Sequence, residues 1–152
     1  MKNIKGSKKD IAVEEPTAIY GLSRQRQRMD PQHTIARVQE GLPLAELEGL
    51  AELLELPPEK LASHLSISRS TLVRRRKSGR LAPLESDRLL RYARLWNRAL
   101  EIFDGDQPAA REWLRQPARA LDFVTPLTFS ETETGAREVE NLLGRLEFGV
   151  FS

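Results

Sequence analysis

The chain has 152 residues, with 24 Lys and Arg against 22 Asp and Glu, and it contains no cysteine. The missing thiols exclude a disulfide framework, thiolate metal sites and a cysteine nucleophile, and they fit a reducing cytoplasm. The opening MKNIKGSKKD lacks the apolar run of a signal peptide and no stretch approaches membrane-spanning length, so a cytoplasmic protein without membrane contact is expected.

The length suits one domain with a full core, or two small ones sharing an interface. Residues 1–32 mix Lys, Gln, Arg, Pro and Gly with isolated apolar residues and show no sustained period. They read as a flexible basic arm in which Arg24, Arg26 and Arg28 are solvated or touch phosphates. Apolar character begins at Thr34. Pro43 opens a helix in which Leu44, Leu47, Leu50, Ala51 and Leu54 form one stripe, and the carboxylates Glu46, Glu48 and Glu52 read as its wet face.

Two short helices around a three-residue turn follow, over 57–80. Pro58 opens the first, which runs to about His64 with Leu61, Ala62 and Leu65 inward. In the turn Ser66-Ile67-Ser68, Ser66 stands where glycine would ease a left-handed backbone, and Ser68 is placed to cap the second helix. Ile67 should pack on Leu72 as a hydrophobic staple, and Val73 should help Leu72 face inward. Gly79 supplies the stop. Between Ser66 and Arg80 there are six Lys or Arg and no acid, although the whole chain is only two charges from neutral. A helix-turn-helix with this local imbalance points to nucleic acid, against the plainer reading of a solvated basic face.

Residues 83–103 form the longest expected helix. Leu89, Ala93, Trp96, Leu100 and Phe103 make a coiled-coil-like seam, covered either by the C-terminal segment of the same chain or by a second copy in a homodimer. Arg88, Arg91, Arg94 and Arg98 lie in a second stripe that extends the basic surface or pairs with acids elsewhere. Asp104-Gly105-Asp106 breaks the helix. Pro108 opens a short one with Ala109, Ala110, Trp113 and Leu114 inward, ended by Pro117, and a loop carries Leu121, Phe123 and Thr125-Pro126-Leu127. The last helix has Ala136, Val139, Leu143 and Leu146 inward. Ser130 and Glu133 have capping-box spacing there, with Thr132 and Thr134 as competing caps. The sequence finishes on Phe148, Val150 and Phe151, apolar residues where chain ends are usually polar, so they fold back as core or meet a partner.

Catalytic signals are weak. The histidines, His33 and His64, have no Asp, Ser or Cys constellation at catalytic spacing, and there is no Gly-rich phosphate loop or paired-His metal motif. No enzyme activity, metal or cofactor is expected.

The run WLRQPARAL…TPLTFSETETGAREVENLLGRLEFGVFS resembles the C-terminal toxin-binding domain of Xre/MbcA/ParS-type antitoxins. Its motif positions are Trp113-Leu114, Pro117, Ala120-Leu121, Thr125-Pro126, Thr134-Gly135, Val139, Leu142 and Leu146. The helix-turn-helix is similar to the Xre-like part of the same family, and the likeness covers about residues 40–152. Two pairs depart from it: Asp122-Phe123 stands where the family commonly has glycines, and Phe129-Ser130 replaces a more aliphatic pair. The resemblance implies an all-α fold in three parts: the arm 1–32, a helix-turn-helix and dimerisation region 33–103, and a toxin-binding domain 104–152. It implies a homodimer that binds a RES-domain toxin, an NAD-consuming enzyme, blocks its active-site cleft and represses the shared operon. Carried onto this sequence, the DNA-facing residues are Ser68, Arg69, Ser70 and Arg74, with Arg75, Arg76, Lys77 and Arg80 on phosphates. The toxin-facing residues are Arg137, Arg145, Glu147, Phe148, Val150, Phe151 and Ser152. A transcriptional regulator without a toxin is the main rival. A pure adaptor, in which Arg74 to Lys77 bind an acidic protein, is another.

Overall fold

The computed structural model describes residues 30–149. Residues 1–29, with the expected arm and its Arg24, Arg26 and Arg28, lie outside the described residues, as do Val150, Phe151 and Ser152. Among the described residues the fold is all-α as expected, with eight α-helices and one 3-10 turn. No described helix is long and apolar enough to cross a membrane.

Helix α1 (Pro31–Glu40) starts on an Asp30 cap that accepts the Gln32 N–H at 3.1 Å, so it takes in the last two residues of the stretch expected to be flexible. None of its residues is buried. Helix α2 (Leu44–Leu53) buries the expected stripe, with Leu54 just past its end.

The helix-turn-helix forms as the residues dictate. Helix α3 (Pro58–His64) ends where Ser66 turns left-handed at φ 58°. That costs about 1 to 2 kcal/mol for a residue with a Cβ. It lets the Ile67 N–H reach the Ala62 carbonyl at 2.9 Å and the Ser66 N–H reach that of Ser63 at 3.0 Å, satisfying two orphan carbonyls. Helix α4 (Arg69–Ser78) starts on Ser68, which accepts the Thr71 N–H at 3.2 Å, and stops at the left-handed Gly79. Ile67 and Leu72 are both buried, as the staple requires. Val73 is not: it is 49% exposed, because a position one step from Leu72 is turned about 100° away from the core.

Helix α5 (Pro83–Ile102) is the central strut. Leu89, Ala93 and Trp96 are at most 1% exposed, and Leu100 and Phe103 are half-buried. Helices α6 (Gln107–Arg115) and α8 (Glu133–Glu147) are the main elements packed on it, with α1 adding a smaller contact, so the seam is covered within the chain. Of its arginine stripe, Arg91, Arg94 and Arg98 turn to α8, whereas Arg88 donates to the Leu65 carbonyl beyond α3 at 3.2 Å. Arg91 Nε lies 3.0 Å from Glu133, Arg94 3.3 Å from the same carboxylate, and Arg98 2.7 Å from Glu147.

The segment expected as a loop after Pro117 is more ordered: a 3-10 turn (Arg119–Leu121) precedes the short helix α7 (Pro126–Phe129). Thr125 caps α7 and Pro126 takes its first position, where a missing N–H costs nothing. The cap of α8 is Thr132, which accepts the Gly135 N–H at 3.0 Å. Ser130 is instead fully buried and donates to the Pro126 carbonyl at 2.7 Å, closing α7. One hydrophobic cluster runs from Leu42 to Leu143, so both halves share a core.

Candidate functional site

The basic helix sorts its cations by the side of α4 they occupy. Arg69, Ser70, Arg74 and Lys77 are exposed, with Arg74 donating to the Thr71 hydroxyl at 3.3 Å. Arg75 turns the other way and holds Glu85 of α5 with two bonds, Nε to Oε1 at 2.7 Å and Nη2 to Oε2 at 3.2 Å. Burial acts upward on the Glu85 carboxyl. The Arg75 bonds, with the Ala82 N–H, outweigh it and hold the group below the usual carboxylate range. Arg76 reaches Glu59 of α3 at 2.8 Å, and Arg80 donates to the Gly41 carbonyl at 2.9 Å. Ser68 is committed to its cap. Of the eight expected DNA-facing residues, Arg69, Ser70, Arg74 and Lys77 have the freest heads, whereas Arg75, Arg76 and Arg80 tie α4 to its surroundings. The exposed Val73 stands at helical spacing from Arg69, Ser70 and Lys77 on this surface.

The other expected surface is the end of α8. Arg137 is exposed, with Nε 3.9 Å from Glu133. Arg145 is half-buried, and its Nε is enclosed without a hydrogen-bond partner among the described residues. Arg98 anchors Glu147, and Phe148, the residue that ends the helix, is 79% exposed. Burying an aromatic ring is worth on the order of 2 kcal/mol, and this fold leaves that unused. Val150, Phe151 and Ser152 lie outside the described residues.

Two features went unseen in the sequence. Glu46, expected on a wet face, is 7% exposed, and burial pushes its carboxyl up to about 7 against the opposing pull of Arg37, 3.4 Å away. Its Oε2 has no partner among the described residues. His64 does not stand alone: its Nδ1 is 2.9 Å from Glu131, which ties α3 to the start of α8. No group of three His, Asp or Glu among the described residues could hold a metal ion.

Comparison with known families divides the chain along α5. Residues 33–94 match the antitoxin Xre-like helix-turn-helix domain, and residues 98–149 match the antitoxin Xre/MbcA/ParS C-terminal toxin-binding domain. The chain belongs to the Xre-type antitoxin family. Among curated proteins, the antitoxin Xre of Yersinia enterocolitica is 46% identical over 85 residues, which is 56% of this chain and 57% of that protein. The antitoxin Xre of Photorhabdus laumondii is 40% identical over 74 residues, 49% and 50% of the two chains. The chain thus matches only about half the length of these relatives.

The fold explains the motif that marks this Xre-type chain. Leu114 and Leu121 are buried, Thr125 and Pro126 start α7, and Val139 and Leu142 face the core. Gly135 has no room for a side chain, since a Cβ there would overlap the Phe129 carbonyl oxygen. The departure at Asp122-Phe123 falls on two consecutive left-handed residues, φ 53° and 62°, the backbone that glycine adopts without strain.

Proposed function

We propose that this chain neutralises a RES-domain, NAD-consuming toxin by placing the end of α8 and the residues beyond it over the toxin's active-site cleft. In this reading it does no chemistry of its own. It also represses its operon, with α4 in the major groove of operator DNA, and works as a homodimer within a larger complex with the toxin. The observation that carries the reading is the toxin-binding family match over 98–149, ending on a helix that leaves Phe148 79% exposed. An exposed aromatic beside Arg145 and Glu147 has the composition of an interface hot spot. For the DNA half, support comes from the cap at Ser68 and the exposed Arg69, Ser70, Arg74 and Lys77. Because the α5 seam is buried within the chain, a dimer has to form through another surface.

Co-expression tests this directly. The intact chain and a version lacking Gly149 to Ser152 are each produced with the protein encoded beside it, while growth and cellular NAD are followed. Rescue of both by the intact chain alone is expected. Absence of any toxicity to rescue would leave a stand-alone regulator; equal rescue by both versions would move neutralisation to a different surface.

A further inference from the structure

The segment 118–124 is closed on itself. The Ala118 N–H donates to the Val124 carbonyl at 3.1 Å, those of Leu121 and Phe123 both reach the Ala118 carbonyl at 2.9 Å, and that of Val124 reaches Leu121 at 3.0 Å. It is a fixed platform. At its tip Asp122 and Phe123 both take the left-handed backbone, φ 53° and 62°. Aspartate tolerates this region better than most residues, whereas a bulky aromatic is strained in it. The fold recovers little from the ring: Leu121 and Leu127 are buried, but Phe123 is 70% exposed. A residue that strains its own backbone and leaves its apolar surface in water does not serve the free chain.

We propose that Phe123 is a second anchor for the toxin, separate from the end of α8, which inserts its ring into an apolar hollow on the toxin and helps set which toxin is accepted. This rests on the antitoxin reading. The occupant is argued from position: the turn lies inside the segment 98–149 that matches the toxin-binding domain. The chemistry agrees. An aromatic side chain has two rotatable bonds, and on a backbone already fixed it loses little entropy when it docks. Exposed Arg119 and Asp122 beside it supply the polar rim that surrounds interface anchors.

The test compares the full chain, its Phe123→Asn and Phe123→Tyr variants, and the chain lacking Gly149 to Ser152. Each is titrated calorimetrically into the purified, catalytically inactivated protein encoded beside it, and each free chain is melted and its mass measured. Asn keeps the left-handed turn without the ring. Expected is about tenfold or greater weakening for Phe123→Asn, with a melting temperature no lower than wild type, and near-native binding for Phe123→Tyr. Unchanged binding by Phe123→Asn beside weakened binding by the truncated chain overturns the second anchor and leaves the antitoxin reading standing. A lower melting temperature assigns the ring to the fold, and a changed mass of the free chain assigns it to a second copy; either overturns the proposal. If the intact chain binds nothing, the antitoxin reading itself fails, and the anchor with it.

Discussion

Glu46 shows how a single side chain departs from its surface pattern. Its neighbours Glu48 and Glu52 face water, yet it is 7% exposed, with Arg37 of α1 3.4 Å from one carboxylate oxygen and the other enclosed without a hydrogen-bond partner among the described residues. Its acid form is therefore favoured in the folded state up to about pH 7, while an unfolded chain ionises it near 4.5. Between those values the native state holds a proton that the unfolded state has released, so this group's contribution to stability falls as pH rises. Glu46→Gln, which mimics the protonated acid, should equal wild type in stability near pH 4. It should exceed wild type by roughly 1 to 3 kcal/mol at pH 8. Urea unfolding of both proteins across that range measures the difference, and an identical pH dependence would mean that Glu46 ionises freely in the fold.

At the scale of elements, three helices end the same way. α2, α3 and α5 are each closed by a left-handed residue that is not glycine, Glu55, Ser66 and Asp104, and in each the next N–H reaches a carbonyl of the last turn, at 2.8 to 2.9 Å. Satisfying buried carbonyls offsets the strain, so these turns hold without glycine. Helix α4 divides its charges between fold and surface, which separates two substitutions of the same chemistry. Arg74→Ala should weaken operator binding by about 1 to 3 kcal/mol and relax sequence discrimination at every salt concentration, with an unchanged melting temperature. Arg75→Ala breaks the two-bond pair with the buried Glu85 and should destabilise the fold by about 1 to 3 kcal/mol. Titrations of operator DNA at several salt concentrations, paired with thermal melts, distinguish them; an Arg74→Ala chain that melts early would place Arg74 in the fold.

For the whole molecule, α5 decides the behaviour. The two family matches meet within it, its seam fills the core, and Arg91, Arg94 and Arg98 clasp α8. The halves should therefore unfold together. Trp96→Ala removes a ring that is 1% exposed and should cost about 3 to 5 kcal/mol, lowering toxin and operator binding alike. Calorimetry should show one transition in wild type and in the variant. Two transitions, with DNA binding lost and toxin binding retained, would show that the halves fold independently.

Residues acting over one or two turns of chain were legible in advance. The span of α3 and α4, the Ser68 cap, the left-handed Ser66, the Gly79 stop and the α5 seam follow from local sterics, hydrogen bonding and helical period, which the sequence contains in full. The toxin-binding segment was legible through its motif, although the reason for Gly135 needed the Phe129 carbonyl beside it. Other features depend on what lies across the core. Burial of Glu46, the turn of Arg75 toward Glu85, exposure of Val73 and cover of the α5 seam by α6 and α8 all join residues distant in sequence or set a side chain's angle against another element. Local pattern carries no distance between such groups, so composition and period determined most of the helices this chain makes, α1 and α7 aside, and only tertiary packing decided which charges pair, which carboxylate is buried and which aromatic rings are left in water.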